Sequence, residues 1–312
     1  MKRFKLEPLI STIHATIQPV ESESMTENSI RIRTLNREDI PEGMFLVRTE
    51  GWNQTEKDWH LLVDHPQNVC LAAETDGKLV GTATAINYNN DLAWIGMVLV
   101  NREYRGRGIS KVLLSRMFDE LKMCKSIKLD ATPAGKAVYE KIGFQDEYLI
   151  HRMVRVPGDA ELRAPEEKIL AVPLEQGRVN EIVWLDAEIF GVRRDLLLHA
   201  LMNNDPDLSR IILRQERISG YALGRTGSRY TQIGPVSARS EEEAKALVYS
   251  LLKLNNHRPL VVDALDSNPW YIDWLHANGF LVQRSFTRMY LGENPFPGKL
   301  QSQFLICGPE FG

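Results

Sequence analysis

The chain has 312 residues, enough for two ordinary domains. Hydrophobic residues make up 43% and charged residues 25%, a globular balance, and no apolar run approaches the length needed to cross a membrane. A net charge of −3 gives no general attraction to nucleic acid, so neither nucleic acid nor membrane is an expected partner.

Three widely spaced cysteines, Cys70, Cys124 and Cys307, fit free thiols in a reducing compartment, and a cytoplasmic location is expected. His60 and His65 are five apart, which is not ligand spacing on a helix, and no metal is expected. Residues 1–28 combine a basic start with a weak, broken apolar segment. They read as a poorly ordered extension without a convincing signal peptide; a transit peptide is the alternative, and Met25 is a candidate start.

Residues 29–34 alternate apolar and polar, as a half-buried strand does. A helical stretch opens at Asn36 to Asp39, and Gly51, Trp52 and Asn53 precede another helix. Runs at 69–74, 78–87 and 94–100 read as strands, with turns at Asp76-Gly77 and at Asn89-Asn90-Asp91. A polar loop, 101–108, follows. Ile109, Val112, Leu113, Met117 and Leu121 then recur at helical spacing. The strand at 127–131 comes after this crossover helix, so it should run parallel to 94–100. A short helix at 134–142 ends at Gly143, and a strand follows at 148–156.

The loop at 101–108 has the physics of an anion site. A helix start leaves backbone N–H groups without partners and carries the positive end of the dipole. Gly106 and Gly108 let the backbone turn and approach a ligand, while Arg105 and Arg107 add charge. No Gly-Lys-Ser/Thr follows, so this is not a Walker loop, and the pattern is not GxGxxG.

What the stretch resembles is the acetyl-CoA loop of the GCN5-related N-acetyltransferase (GNAT) superfamily. Arg105, Gly108 and Ser110 fill its Arg/Gln-x-x-Gly-x-Gly/Ala pattern, with Val98 and Val100 on the strand before it. Ser110 departs from the usual small apolar residue but is small and keeps its N–H. Tyr139, Gly143 and Phe144 match a second signature, and the resemblance covers residues 29–156 nearly whole.

The resemblance implies acetyl-CoA as cosubstrate. Strand amides at Val98, Leu99 and Val100 would meet the acetyl and pantetheine, and the strand would carry a bulge and splay from its neighbour. Arg105, Gly106, Arg107, Gly108, Ile109, Ser110 and Lys111 would bind the cofactor, the amides from Arg107 to Lys111 meeting the pyrophosphate. Thr132 stands where the family often has an Asn contacting the cofactor. Trp52 and Asn53 are acceptor-side candidates, against a plain packing and capping role. Tyr139 is the leading acid, since a phenol of pKa about 10 can protonate a thiolate of about 8.5. The base is open: Asp130 lies near its strand end, a water chain serves equally, and Asp263 at an equivalent place argues for a structural role.

Residues 157–173, with prolines at 157, 165 and 173 and many charged side chains, read as the linker. Beyond it the sequence repeats itself. LVGTATA at 79–85 pairs with ISGYALG at 218–224, WIGMVLV at 94–100 with QIGPVSA at 232–238, and LDA at 129–131 with VDA at 262–264. Phe144 and Phe280 both follow Gly, and Arg152-Met153 recurs as Arg288-Met289. The active parts do not recur. Arg239-Ser240 leads straight into a helix, where Ser240 and Glu243 read as a capping box, and Leu275 replaces Tyr139.

The expected fold class is therefore α/β in the mixed α+β sense: two GNAT-like domains in tandem, each a mixed, mostly antiparallel twisted sheet flanked by helices. Residues 29–156 are read as the catalytic domain and 174–312 as a degenerate, acceptor-side copy that ends in a strand at 304–306. The expected activity is transfer of acetyl to the primary amine of a small molecule. The alternative is an acetyl-CoA sensor without catalysis. Arg193, Arg194 and Arg225 could hold an acceptor carboxylate, but are more simply read as solvated or salt-bridged. Acceptor identity and oligomeric state are not legible.

Overall fold

In the computed structural model, residues 30–158 and 161–312 are described; the extension at 1–28 lies outside them. The alternating RIRT makes β1 (Arg31–Thr34), which pairs antiparallel with β2 (Val69–Thr75), Arg31 opposite Glu74. Between them lie α1 (Ile40–Thr49) and α2 (Glu56–Val63). Capping boxes set both helix starts: Asn36 with Asp39 ahead of α1, and Thr55 with Asp58 at α2.

The end of α1 is a Schellman motif. Gly51 has φ of 64°, its N–H donates to Arg48 O at 3.0 Å, and Trp52 N–H donates to Val47 O at 3.0 Å. This fixes Glu50 as the C-cap.

The strands β3 (Lys78–Tyr88) and β4 (Leu92–Val100) complete a meander. Asp76-Gly77 and Asn89-Asn90 make its turns with positive φ, as two-residue hairpins demand. The crossover helix α3 (Ile109–Glu120) buries Ile109, Leu113, Leu114, Met117 and Phe118. It leads to β5 (Ser126–Ala131), parallel to β4 from Leu92–Ser126 to Ile95–Leu129. Then come α4 (Pro133–Lys141) and β6 (Phe144–Arg155), which starts at Phe144 rather than 148.

The second half repeats the plan. After β7 (Val172–Pro173) come α5 (Val179–Phe190), α6 (Asp195–Asn204), β8 (Arg210–Arg214), β9 (Arg217–Thr226) and β10 (Thr231–Ala238). Then follow α7 (Glu241–Asn255), β11 (Leu260–Leu265), α8 (Pro269–Ala277), β12 (Leu281–Leu291) and β13 (Gln303–Leu305).

Two compact units result. The first runs to Leu129 and takes in Ala137–Gln145 and Tyr290–Pro295; its strand order is β1-β2-β3-β4-β5. The second holds Asp130–Lys136, Asp146–Met289 and Phe296–Gly312, in the order β12-β6-β11-β13-β10-β9-β8-β7. Compactness thus divides the chain elsewhere than at residue 156. Burial explains this: β6 pairs antiparallel with β11, and its Ile150 and Met153 are fully buried in clusters with Leu265, Phe286 and Val262. In the first unit, Tyr290 donates its hydroxyl to Gln145 Oε1 at 3.3 Å, and Ser126 Oγ donates to Glu293 O at 3.4 Å. Among the described residues no helix is long and apolar enough to cross a membrane.

Candidate active site

The site begins where β4 leaves β5. Their described register stops at Ile95 and Leu129, while β4 stays on β3 as far as Val100. A bulge lies at this point: the β3–β4 register shifts between Thr82 and Thr84, and Met97 takes φ of 49°. Thr82 Oγ1 donates to Met97 O at 2.8 Å and Thr84 Oγ1 to Gly96 O at 3.2 Å, which holds the bulge. Beyond it Leu99 is buried, while Val98 and Val100 are half-exposed.

The loop after β4 turns at Gly106 (φ 78°) and Gly108 (φ 76°). A Cβ at either position would meet nothing within 4 Å, so backbone sign alone calls for glycine, and the space in front is open. Gly108 is the N-cap of α3, which has no side-chain cap and no acid in its first turn. Lys111 and Val112 N–H groups return to Gly108 O at 3.0 and 3.2 Å, leaving the Ile109 and Ser110 amides at the helix mouth. The exposed Arg107 lies 4.9 Å over the Tyr104 ring. These features fit a phosphate: donors, positive charge, open approach and no resident acid on the helix.

Arg105 is tethered. Its Nε donates to Val100 O at 3.1 Å, and its Nη2 to Glu50 Oε1 at 2.6 Å. Arg102 Nε meets the same oxygen at 3.0 Å. Glu50 is a site residue that sequence reasoning missed. Its only signal was the C-cap position that Gly51 defines.

Tyr139 is half-buried on α4, with its ring 5.8 Å from Phe144 in an edge-on contact. Its hydroxyl has no hydrogen bond among the described residues, and desolvation pushes its pKa up to about 12. Thr132 serves the start of α4: its Oγ1 accepts from Gly135 N–H at 3.2 Å. Trp52 is half-buried and Asn53 buried. Thr55, not Asn53, caps α2.

Asp130 is not available as a base. Arg288 holds both carboxylate oxygens, Nε to Oδ1 at 2.9 Å and Nη2 to Oδ2 at 3.0 Å, and donates through Nη1 to Tyr148 Oη at 2.6 Å. Burial pushes the Asp130 carboxyl up, and the charge and hydrogen bonds of Arg288 oppose it. The bidentate geometry is that of an ion pair. A twin exists: Arg152 holds Asp263 through two bonds of 2.8 Å. The repeated Arg-Met and Asp-Ala pairs were the sequence signal for both clamps. The thiols drop out as well, since desolvation pushes Cys70 up to about 12 and Cys124 up to about 11.

The second copy has the same cleft, filled. β10 parallels β11 only from Thr231–Leu260 to Ile233–Val262. Past Ile233, β13 enters between them: Leu305 pairs with Val236 on one side and Ala264 on the other. Contact there is so close that a Cβ on Gly234 would lie 2.0 Å from Ile306 O. Helix α7 is closed too. Ser240 Oγ accepts from Glu243 N–H at 3.2 Å, and the first turn carries Glu241, Glu242 and Glu243. The Glu243 carboxylate accepts from Arg239 N–H, not Ser240 N–H, so the expected box is displaced by one residue. Arg193, Arg194 and Arg225 are salt-bridged to Asp195, Asp186 and Glu310.

Two family models match the chain: "Acetyltransferase (GNAT) family" over residues 32–144 and "Acetyltransferase (GNAT) domain" over 182–305. Holothin acyltransferase of Pseudoalteromonas sp. (strain SANK 73390) is 24% identical over 221 residues, covering 69% of this chain and 72% of that protein. A solved protein of Pyrococcus horikoshii superposes with a TM-score of 0.75 at 22% identity, covering 94% of this chain and 98% of its own. A tandem GNAT protein from the clavulanic acid biosynthesis pathway gives 0.58 at 12% identity, covering 84% and 98%. With both halves matched separately and the same plan folded twice, the chain belongs to the GNAT acetyltransferase superfamily as a tandem member.

Proposed function

We propose that this protein is an N-acetyltransferase that moves acetyl from acetyl-CoA to the primary amine of a small molecule, using the cleft of β4, α3 and α4. The observation that carries this is the open strand end beside an uncapped, acid-free helix start. Amides of Val98, Leu99 and Val100 would polarise the thioester carbonyl, and amides at Ile109 and Ser110 with Arg107 and Lys111 would hold the pyrophosphate. The thioester supplies the activated acetyl group. Tyr139 would give its proton to the departing thiolate; the dry surroundings that raise the phenol raise the thiol also, which narrows the gap between them. With Asp130 clamped, solvent takes the proton of the amine. In this reading the N-terminal copy is catalytic.

The test is calorimetric titration with acetyl-CoA, followed by thiol release across a panel of primary amines. Binding with amine-dependent thiol release is expected. Binding without turnover of any amine would favour a sensor, and no binding would sink the cofactor reading.

A further inference from the structure

We propose that the pocket between the end of α1 and the end of β4 is the acceptor pocket, and that Glu50 receives the acceptor's ammonium once cofactor phosphate has drawn Arg105 away. This rests on the acetyl-CoA reading above. The pocket is about 310 Å³, within the range of small-molecule sites. Phe45, Leu46 and Leu99 give it apolar walls, and Glu50, Arg102 and Glu103 give it charge. Phe45 is 55% exposed, a large apolar ring open to solvent at the pocket wall.

Glu50 is held in an exchangeable way. Both of its arginine bonds fall on Oε1. The Arg102 and Arg105 side chains are 61% and 49% exposed, and exposed ion pairs of this kind shift an equilibrium by no more than about fivefold. A phosphate offers a guanidinium stronger, forked bonds, so the phosphate wins Arg105. Each arginine also holds a backbone carbonyl, Arg105 Nε that of Val100 at 3.1 Å and Arg102 Nη2 that of Thr49 at 3.0 Å, but Arg102 is anchored on α1 beside Glu50 while Arg105 is anchored at the mouth of the phosphate loop. Arg102 stays and keeps Glu50 aimed. Once Arg105 has left, two carboxylates face one guanidinium in the pocket, and the balance suits a cation. The ligand class is a primary amine with an apolar body.

Replacing Glu50→Gln separates the two roles. Coenzyme A titrated into the variant should bind about two- to fivefold tighter than into the wild type, because the competing anion is gone. At saturating acetyl-CoA, KM for 2-phenylethylamine or hexylamine should rise at least tenfold with kcat little changed. Unchanged or weaker coenzyme A binding, or an unchanged KM, overturns the exchange. A wild type that binds coenzyme A but turns over neither amine overturns the acceptor class. Failure of the wild type to bind coenzyme A condemns the cofactor reading instead. Glu50→Ala, measured alongside with melting curves, repeats the test should the glutamine variant fold poorly.

Discussion

The two copies have the same cleft, and its contents differ. In each, a strand leaves its parallel neighbour after an isoleucine, Ile95 or Ile233, at an irregularity in the register with the preceding strand. The first cleft stays open beside a helix start with neither cap nor acid. The second is threaded by β13 and faces a helix start with a serine cap and three glutamates. Strand splay is thus a property of the fold, while ligand capacity is decided by what the chain itself puts there. The C-terminal strand satisfies backbone groups of the kind that the proposed ligand would satisfy in the first copy.

The comparison is broken most severely at Gly108. Gly108→Glu puts a carboxylate where the phosphate is proposed to sit, and should lower acetyl-CoA affinity at least 100-fold by calorimetry. The left-handed backbone there costs about 1–2 kcal/mol, so the melting curve should stay cooperative. The wild type should saturate at one acetyl-CoA per chain, and a second site would mean that β13 does not fill its cleft. Next, Tyr139→Phe should lower kcat by roughly 10²–10⁴-fold with acetyl-CoA affinity kept, whereas Leu275, its fully buried counterpart, has no chemistry to lose.

The twin clamps give the third contrast. Arg288→Met strips the buried Asp130 of its guanidinium, Arg152→Met leaves the buried Asp263 with the Gln232 Nε2 bond of 2.8 Å, and each should cost about 3–5 kcal/mol in denaturant unfolding. Equal costs would show the pairs to be structural equivalents. Smaller still, Ser240→Ala should cost about 1 kcal/mol without opening a second binding site. Last, alkaline pH should act weakly. A Tyr139 pKa raised to about 12 keeps the phenol protonated past pH 10, so kcat should show no loss from this group below about pH 11. The same shift contributes stability that is complete below pH 10 and fades as pH rises toward 12.

Much of the first copy was legible because its signals are local. Periodicity gave the strands, Asp76-Gly77 and Asn89-Asn90 the turns, and Gly106 and Gly108 the loop. What escaped depends on distant pairing. Nothing near 303–305 tells that this segment runs between β10 and β11. Nothing near Asp130 tells that its partner is Arg288, although the repeat held the hint in Arg152 and Asp263. Glu50 was missed for the same reason, since its arginines come more than 50 residues later.

The membership of Tyr290–Pro295 in the first unit has a consequence for synthesis. A ribosome that has finished Leu129 must still make the chain through Pro295 before that unit has all its parts. At ordinary elongation speeds the wait is roughly 10–30 s. During it the nascent unit lacks the bonds that Tyr290 and Glu293 make with Gln145 and Ser126. Completion of the first unit is therefore post-translational in large part, tied to the last stretch of the chain to be made.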